Sequence, residues 1–179
     1  MVAAAVSDLR RGKVYNVLTY PAIVVGLALG TLEGYQSART WSGAYDGLLN
    51  HLGGFGLGFG VLFVAYILGG MGGGDVKLMG AVGAFVGWPG ALYALFYSFL
   101  AGALIGVGLV VWRGRTRLFL RRLGVALRLL PMPGVRPDEA IPHTTAPVPF
   151  GLAVCLGTFW HVLEKELGGT LWDVLAGLL

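Results

Sequence analysis

Asp75 closes the stretch "LGGMGGGD", behind Gly69, Gly70, Gly72, Gly73 and Gly74, with apolar chain on either side. An ionisable residue inside apolar surroundings is costly, and its default reading is functional. The plain alternative is an N-cap that satisfies free N–H groups at the start of the next helix. Three features favour chemistry. The glycine run permits close approach of another segment, which an N-cap does not need. The following helix carries Gly80, Gly83 and Gly87 with Ala81 and Ala84, small residues that let a neighbour pack near Asp75. A second carboxylate, Asp8 in "SDLRRGKVYNVLTYP", falls on the same side of the membrane. Two carboxylates brought together share one proton, and their titration belongs to the pair. One then takes a proton from water while its protonated partner polarises a carbonyl, which is aspartic-type hydrolysis.

The elements that must position these two side chains are membrane helices. The chain of 179 residues is 56% hydrophobic and only 12% charged, about half the roughly 25% usual in soluble domains. Five apolar segments are expected, at about 17–32, 48–68, 76–88, 91–112 and 148–163, with a tight turn at Pro89-Gly90 between the third and fourth. The fold class is therefore all-α: a polytopic transmembrane bundle forming one domain over residues 1–179. "MVAAAV" reads as the remnant of a further N-terminal helix, so the native chain is expected to begin upstream.

Threading the five segments alternately places eleven of the thirteen Lys and Arg residues on one face, leaving only Arg39 and Lys165 on the other. That asymmetry marks the first face as cytoplasmic and puts Asp8 and Asp75 on it. The positive net charge reflects this placement, so no nucleic-acid partner is expected. Residues 113–149 read as a cytoplasmic amphipathic helix followed by a Pro-rich loop.

"GMGGGDVKLMGAVGAFVGW" resembles the signature of the type IV prepilin peptidases, the bacterial GxGD intramembrane aspartyl proteases. "DLRRGKVYNVLTYP", with Asp8, Asn16 and Pro21, resembles the family's first-aspartate segment, although Tyr15 stands where a proline often precedes the asparagine. "PVPFGLAVCLG" resembles the opening of its last helix. The resemblance implies an aspartic endopeptidase of the inner membrane that removes a short basic leader from prepilin-like proteins on the cytoplasmic side. It implies Asp8 and Asp75 as the catalytic pair, with Gly72, Gly73 and Gly74 shaping the loop. Lys77 and Asn16 are candidate supporting residues, although for Lys77 snorkelling to the interface is slightly favoured. The chain is similar to the short, peptidase-only subgroup that serves tight-adherence pili, so no methyltransferase activity is expected.

Other polar residues have ordinary readings. Asp46 is expected to be an N-cap. His51, His143 and His161 show no metal-ligand spacing, so neither a metal nor another cofactor is expected. Cys155 reads as a packing residue, Trp88, Trp112 and Trp160 as interfacial anchors, and Glu164, Lys165 and Glu166 as a solvated helix end. Two rival functions stand beside the peptidase. A small transporter would use Asp8 and Asp75 as a proton or cation site, but it would predict two related halves and no repeat is visible. A phospholipid-modifying transferase would gather more carboxylates around Mg²⁺ than this face offers.

Overall fold

The computed structural model describes residues 16–68, 71–112 and 150–167. They form four helices: α1 (Asn16–Ala38), α2 (Trp41–Ile67), α3 (Gly73–Trp112) and α4 (Phe150–Leu167). The described residues are all helix and connection, and three of the helices, α1 to α3, are long and apolar enough to cross a membrane. Asp8, the amphipathic helix and the Pro-rich loop expected over 113–149 lie outside the described residues. Two compact units divide the chain. One holds α1, α2, α4 and α3 as far as Gly102, and the other begins at Ala103. Of the second unit, the described residues are the last turns of α3, 103–112.

Within the first unit, two residues turn α1 into α2. Arg39 takes the left-handed conformation (φ 54°) and its N–H donates to the Tyr35 carbonyl, ending α1. Thr40 is extended, and its Oγ1 accepts from the Gly43 N–H at 3.2 Å, starting α2. Asp46 is therefore not an N-cap, because the helix begins at Trp41 and Asp46 lies inside it. The local reason is that Thr40 can satisfy the first turn, and the polar residues after it are tolerated on exposed positions.

Lipid supplies little hydrophobic drive between helices, so close backbone packing must hold them together. Glycines provide that closeness. Gly30 and Gly34 of α1 lie against Gly47 and Gly43 of α2, so these helices run antiparallel. Gly54 and Gly58 of α2 lie against Gly83 and Met79 of α3, again antiparallel. Gly26 of α1 meets the Ala84 backbone, closing a three-helix junction. Gly80, Gly83 and Ala84 thus admit neighbouring helices along the first part of α3, whereas Gly87 interrupts it.

Helix α3 is broken. Gly87 has φ 73° and ψ −179°, a conformation open to glycine and not to other residues without strain. The first arm, residues 73–86, is about 21 Å long at 1.5 Å per residue. The break falls two residues before the expected Pro89-Gly90 turn. Pro89 instead lies in the first turn of the second arm, where a missing N–H leaves no bond unmade. Against the second arm packs α4, antiparallel, with Gly157 beside Ser98 and Phe150 beside Gly102. Leu62, Met79, Val82, Ala94, Leu95 and Val154 form the core shared by α2, both arms and α4.

The glycine contacts make a differential prediction. A Cβ at Gly83 would strike the Gly54 carbonyl, whereas one at Gly56 meets nothing within 4 Å. Gly83→Val should lower stability by about 1–3 kcal/mol or more, and Gly56→Ala should be neutral or stabilise by about 0.5–1 kcal/mol. Thermal unfolding of both variants in one detergent checks this.

Candidate functional site

The beginnings of α1 and α3 and the end of α2 gather at one end of the bundle. Asp75 is partly buried in the first turn of α3, and its N–H donates to the Gly72 carbonyl at 3.1 Å. It is not the N-cap, because the helix begins at Gly73. An acidic group here faces the positive end of the helix dipole. Gly73 and Gly74 are the first two helical residues, so of the three glycines expected to shape a loop only Gly72 precedes the helix. The glycine-rich backbone can enter a helix this early because the first N–H groups have no intrahelical partner to forgo. A Cβ at Gly72 would lie 3.5 Å from Asp75 Oδ2, in ordinary contact with the carboxylate.

Two residues beyond Asp75, Lys77 crosses to α1. Its ammonium donates to Asn16 Oδ1 at 2.8 Å and stands 5.6 Å from the centre of the Tyr20 ring. Lys77 therefore has a specific interhelical partner rather than merely reaching for the interface. The contact ties the first turn of α1 to the first turns of α3 across 61 positions of sequence. On the other side, Tyr66 of α2 lies beside Gly73, and Phe55, Phe59, Phe63 and Tyr66 stack in succession at 5.6, 5.4 and 6.3 Å along α2 towards this end.

Other polar contacts are not legible in the sequence. Glu164 is not simply part of a solvated helix end, since it accepts from the Tyr97 hydroxyl at 2.7 Å. His161 stacks on Tyr93 with centroids 5.6 Å apart. His51 is buried and bonded to the Ala84 backbone carbonyl at 2.8 Å, beside Asn50, whose Oδ1 accepts from the Trp88 N–H at 3.2 Å. The signal in the sequence is "NH" inside an apolar, glycine-rich run, but nothing in that pattern names a backbone carbonyl as the partner. Among the described residues no group of three or more His, Cys, Asp or Glu could hold a metal.

Comparison with known proteins places this architecture. Residues 1–107 match the model of the type IV leader peptidase family. The chain belongs to that family. It is similar to the prepilin leader peptidase/N-methyltransferase of Aeromonas hydrophila, 33% identical over 117 residues, which is 63% of this chain and 38% of the relative. The prepilin leader peptidase/N-methyltransferase of Burkholderia pseudomallei (strain K96243) is 28% identical over 120 residues, 65% of this chain and 37% of the relative. The match thus spans little more than a third of these curated relatives' own length. No solved structure matches the chain.

The Lys77–Asn16 contact is open to a double-mutant cycle. Lys77→Met and Asn16→Ala should each destabilise the protein, with a coupling of about 0.5–1 kcal/mol, as befits a bond near the surface. Lys77→Arg should retain most of it. Denaturation midpoints of the two single variants and the double variant measure the coupling.

Proposed function

We propose that this chain is an aspartic endopeptidase that removes the leader peptide from type IV prepilin-like proteins, with Asp8 and Asp75 as its catalytic pair. One observation carries the reading: the bond from Lys77 to Asn16 brings the start of α1 against the start of α3. Asp75 is two positions from Lys77, and Asp8 is eight positions from Asn16. Eight residues reach at most about 29 Å when extended, and about 12 Å as helix. The tether therefore allows the two carboxylates to meet at this end of the bundle.

In the proposed reaction the pair holds one proton. The ionised carboxylate takes a proton from a water molecule, and the water oxygen attacks the carbonyl carbon of the scissile peptide. The protonated carboxyl gives its proton to the carbonyl oxygen, leaving a neutral tetrahedral intermediate. Collapse re-forms the carbonyl, breaks the C–N bond and delivers a proton to the leaving nitrogen. The shared proton is then restored to the pair. Gly72 keeps the approach to Asp75 clear of side chains, and Lys77 with Asn16 and Tyr20 holds the two segments in register.

The site faces the cytoplasm in this reading, because the ends of α1 and α3 that meet through Lys77 and Asn16 are flanked by the basic residues Arg10, Arg11, Lys13 and Lys77 itself. The bundle then comprises five apolar segments, the two arms of α3 being the third and fourth. A cytoplasmic amphipathic helix and Pro-rich loop occupy residues 113–149, between α3 and α4. A cut at this face falls beside a substrate's hydrophobic helix, on its basic-leader side.

Co-expression with a prepilin-like protein bearing a short basic leader tests the proposal. Asp8→Asn and Asp75→Asn keep side-chain shape but remove acid–base capacity, and each should slow leader removal by at least about 100-fold. Cleavage should persist in chelator. Processing by both variants at the wild-type rate, followed by gel shift, overturns the mechanism.

A further inference from the structure

The break in α3 parts a backbone pair. An uninterrupted helix would join the Ala84 carbonyl to the Trp88 N–H, four residues on. With Gly87 out of helical conformation, each group instead meets a side chain of α2. Asn50 Oδ1 accepts from the Trp88 N–H at 3.2 Å, and His51 Nδ1 lies 2.8 Å from the Ala84 carbonyl. A carbonyl only accepts, so Nδ1 carries the proton. Adjacent residues on one helix thus stand in for both halves of a lost bond.

Space for this arrangement is built into all three helices. Gly30 of α1 faces the His51 ring so closely that any Cβ there would strike it. A Cβ at Gly87 would fall 2.6 Å from Asn50 Nδ2. Across the ring, His51 Nε2 is 3.7 Å from Glu33 Oε2 of α1, whose side chain is largely exposed. One buried imidazole therefore touches α1 and α3 from its place on α2.

We propose that Asn50 and His51 are positioning residues for the first arm of α3, setting its depth and rotation against α1 and α2 and so the location of Asp75 at its far end. Asp75 lies nine residues from Ala84, about 14 Å along a straight arm. A rigid arm transmits a shift or rotation at Ala84 to Asp75, and a displacement of about 1 Å can cost about 100-fold in rate. The catalytic consequence rests on Asp75 acting as proposed above, whereas the geometric one does not.

The test uses the full chain in lipid nanodiscs, with Cys155→Ser to remove the native thiol and spin labels at Val17→Cys and Met71→Cys. His51→Leu should shift or broaden the distance between the labels and lower kcat for leader cleavage by about 10- to 100-fold, with KM little changed. His51→Gln, whose amide can still donate to the Ala84 carbonyl, should recover most of both. Asn50→Ala should act in the same direction as His51→Leu, and it carries the test together with His51→Gln if His51→Leu does not fold. In the parent protein, ¹⁵N spectra of labelled histidine should place the His51 proton on Nδ1. Folded variants with an unchanged label distance overturn the proposal. A wild-type chain that cleaves nothing, yet loses the distance in His51→Leu, overturns the peptidase reading and leaves the positioning role standing.

Discussion

A helix that breaks within a packed bundle parts backbone groups that need new partners, because an unpaired N–H or C=O is costly where neighbours exclude water. Helix α3 breaks at Gly87, and α2 supplies Asn50 to the freed N–H and His51 to the freed carbonyl. Much else depends on that repair. The partner helix must lie close, which is why Gly54 and Gly83 meet backbone to backbone. The imidazole needs room, which Gly30 of α1 provides. The resulting junction draws α1, α2 and the first arm of α3 into one packing unit.

At the opposite end of that arm the chain places its most costly residue. Asp75 lies where the first turn of α3 offers unsatisfied N–H groups and a positive dipole end. Lys77, two residues further on, is held by the Asn16 side-chain oxygen and the Tyr20 face. The same short arm thus connects two polar clusters, one among glycines at the break and one at the start of the helix. Apolar packing by Met79 and Val82 fills the length between them.

Membership of the type IV leader peptidase family fits this division of labour. The polar groups Asp75, Lys77 and Asn16 gather at one end of the bundle. Rigidity belongs at the glycine junction, where the buried His51 ring meets the Ala84 carbonyl away from water.

Length and apolar character were enough to place the helices: the segments read at 17–32 and 148–163 differ from α1 and α4 by a few residues at their ends. The asymmetry of charge and the glycines before Asp75 were likewise legible, since they are properties of local composition. The start of α2 was not, because Asp46 reads as a boundary residue until Thr40 is seen capping the helix. Pro89 suggested the turn, but the chain breaks at Gly87, where a positive φ and the neighbouring Asn50 side chain together require a glycine. Lys77 with Asn16, His51 with Ala84, and Glu164 with Tyr97 join residues 61, 33 and 67 positions apart. Sequence by itself determined what must be buried in lipid and which charges are anomalous there, because transfer from water depends on residue type alone. Which polar groups answer one another was decided only by the tertiary structure, because a hydrogen bond depends on distances that helix packing alone creates.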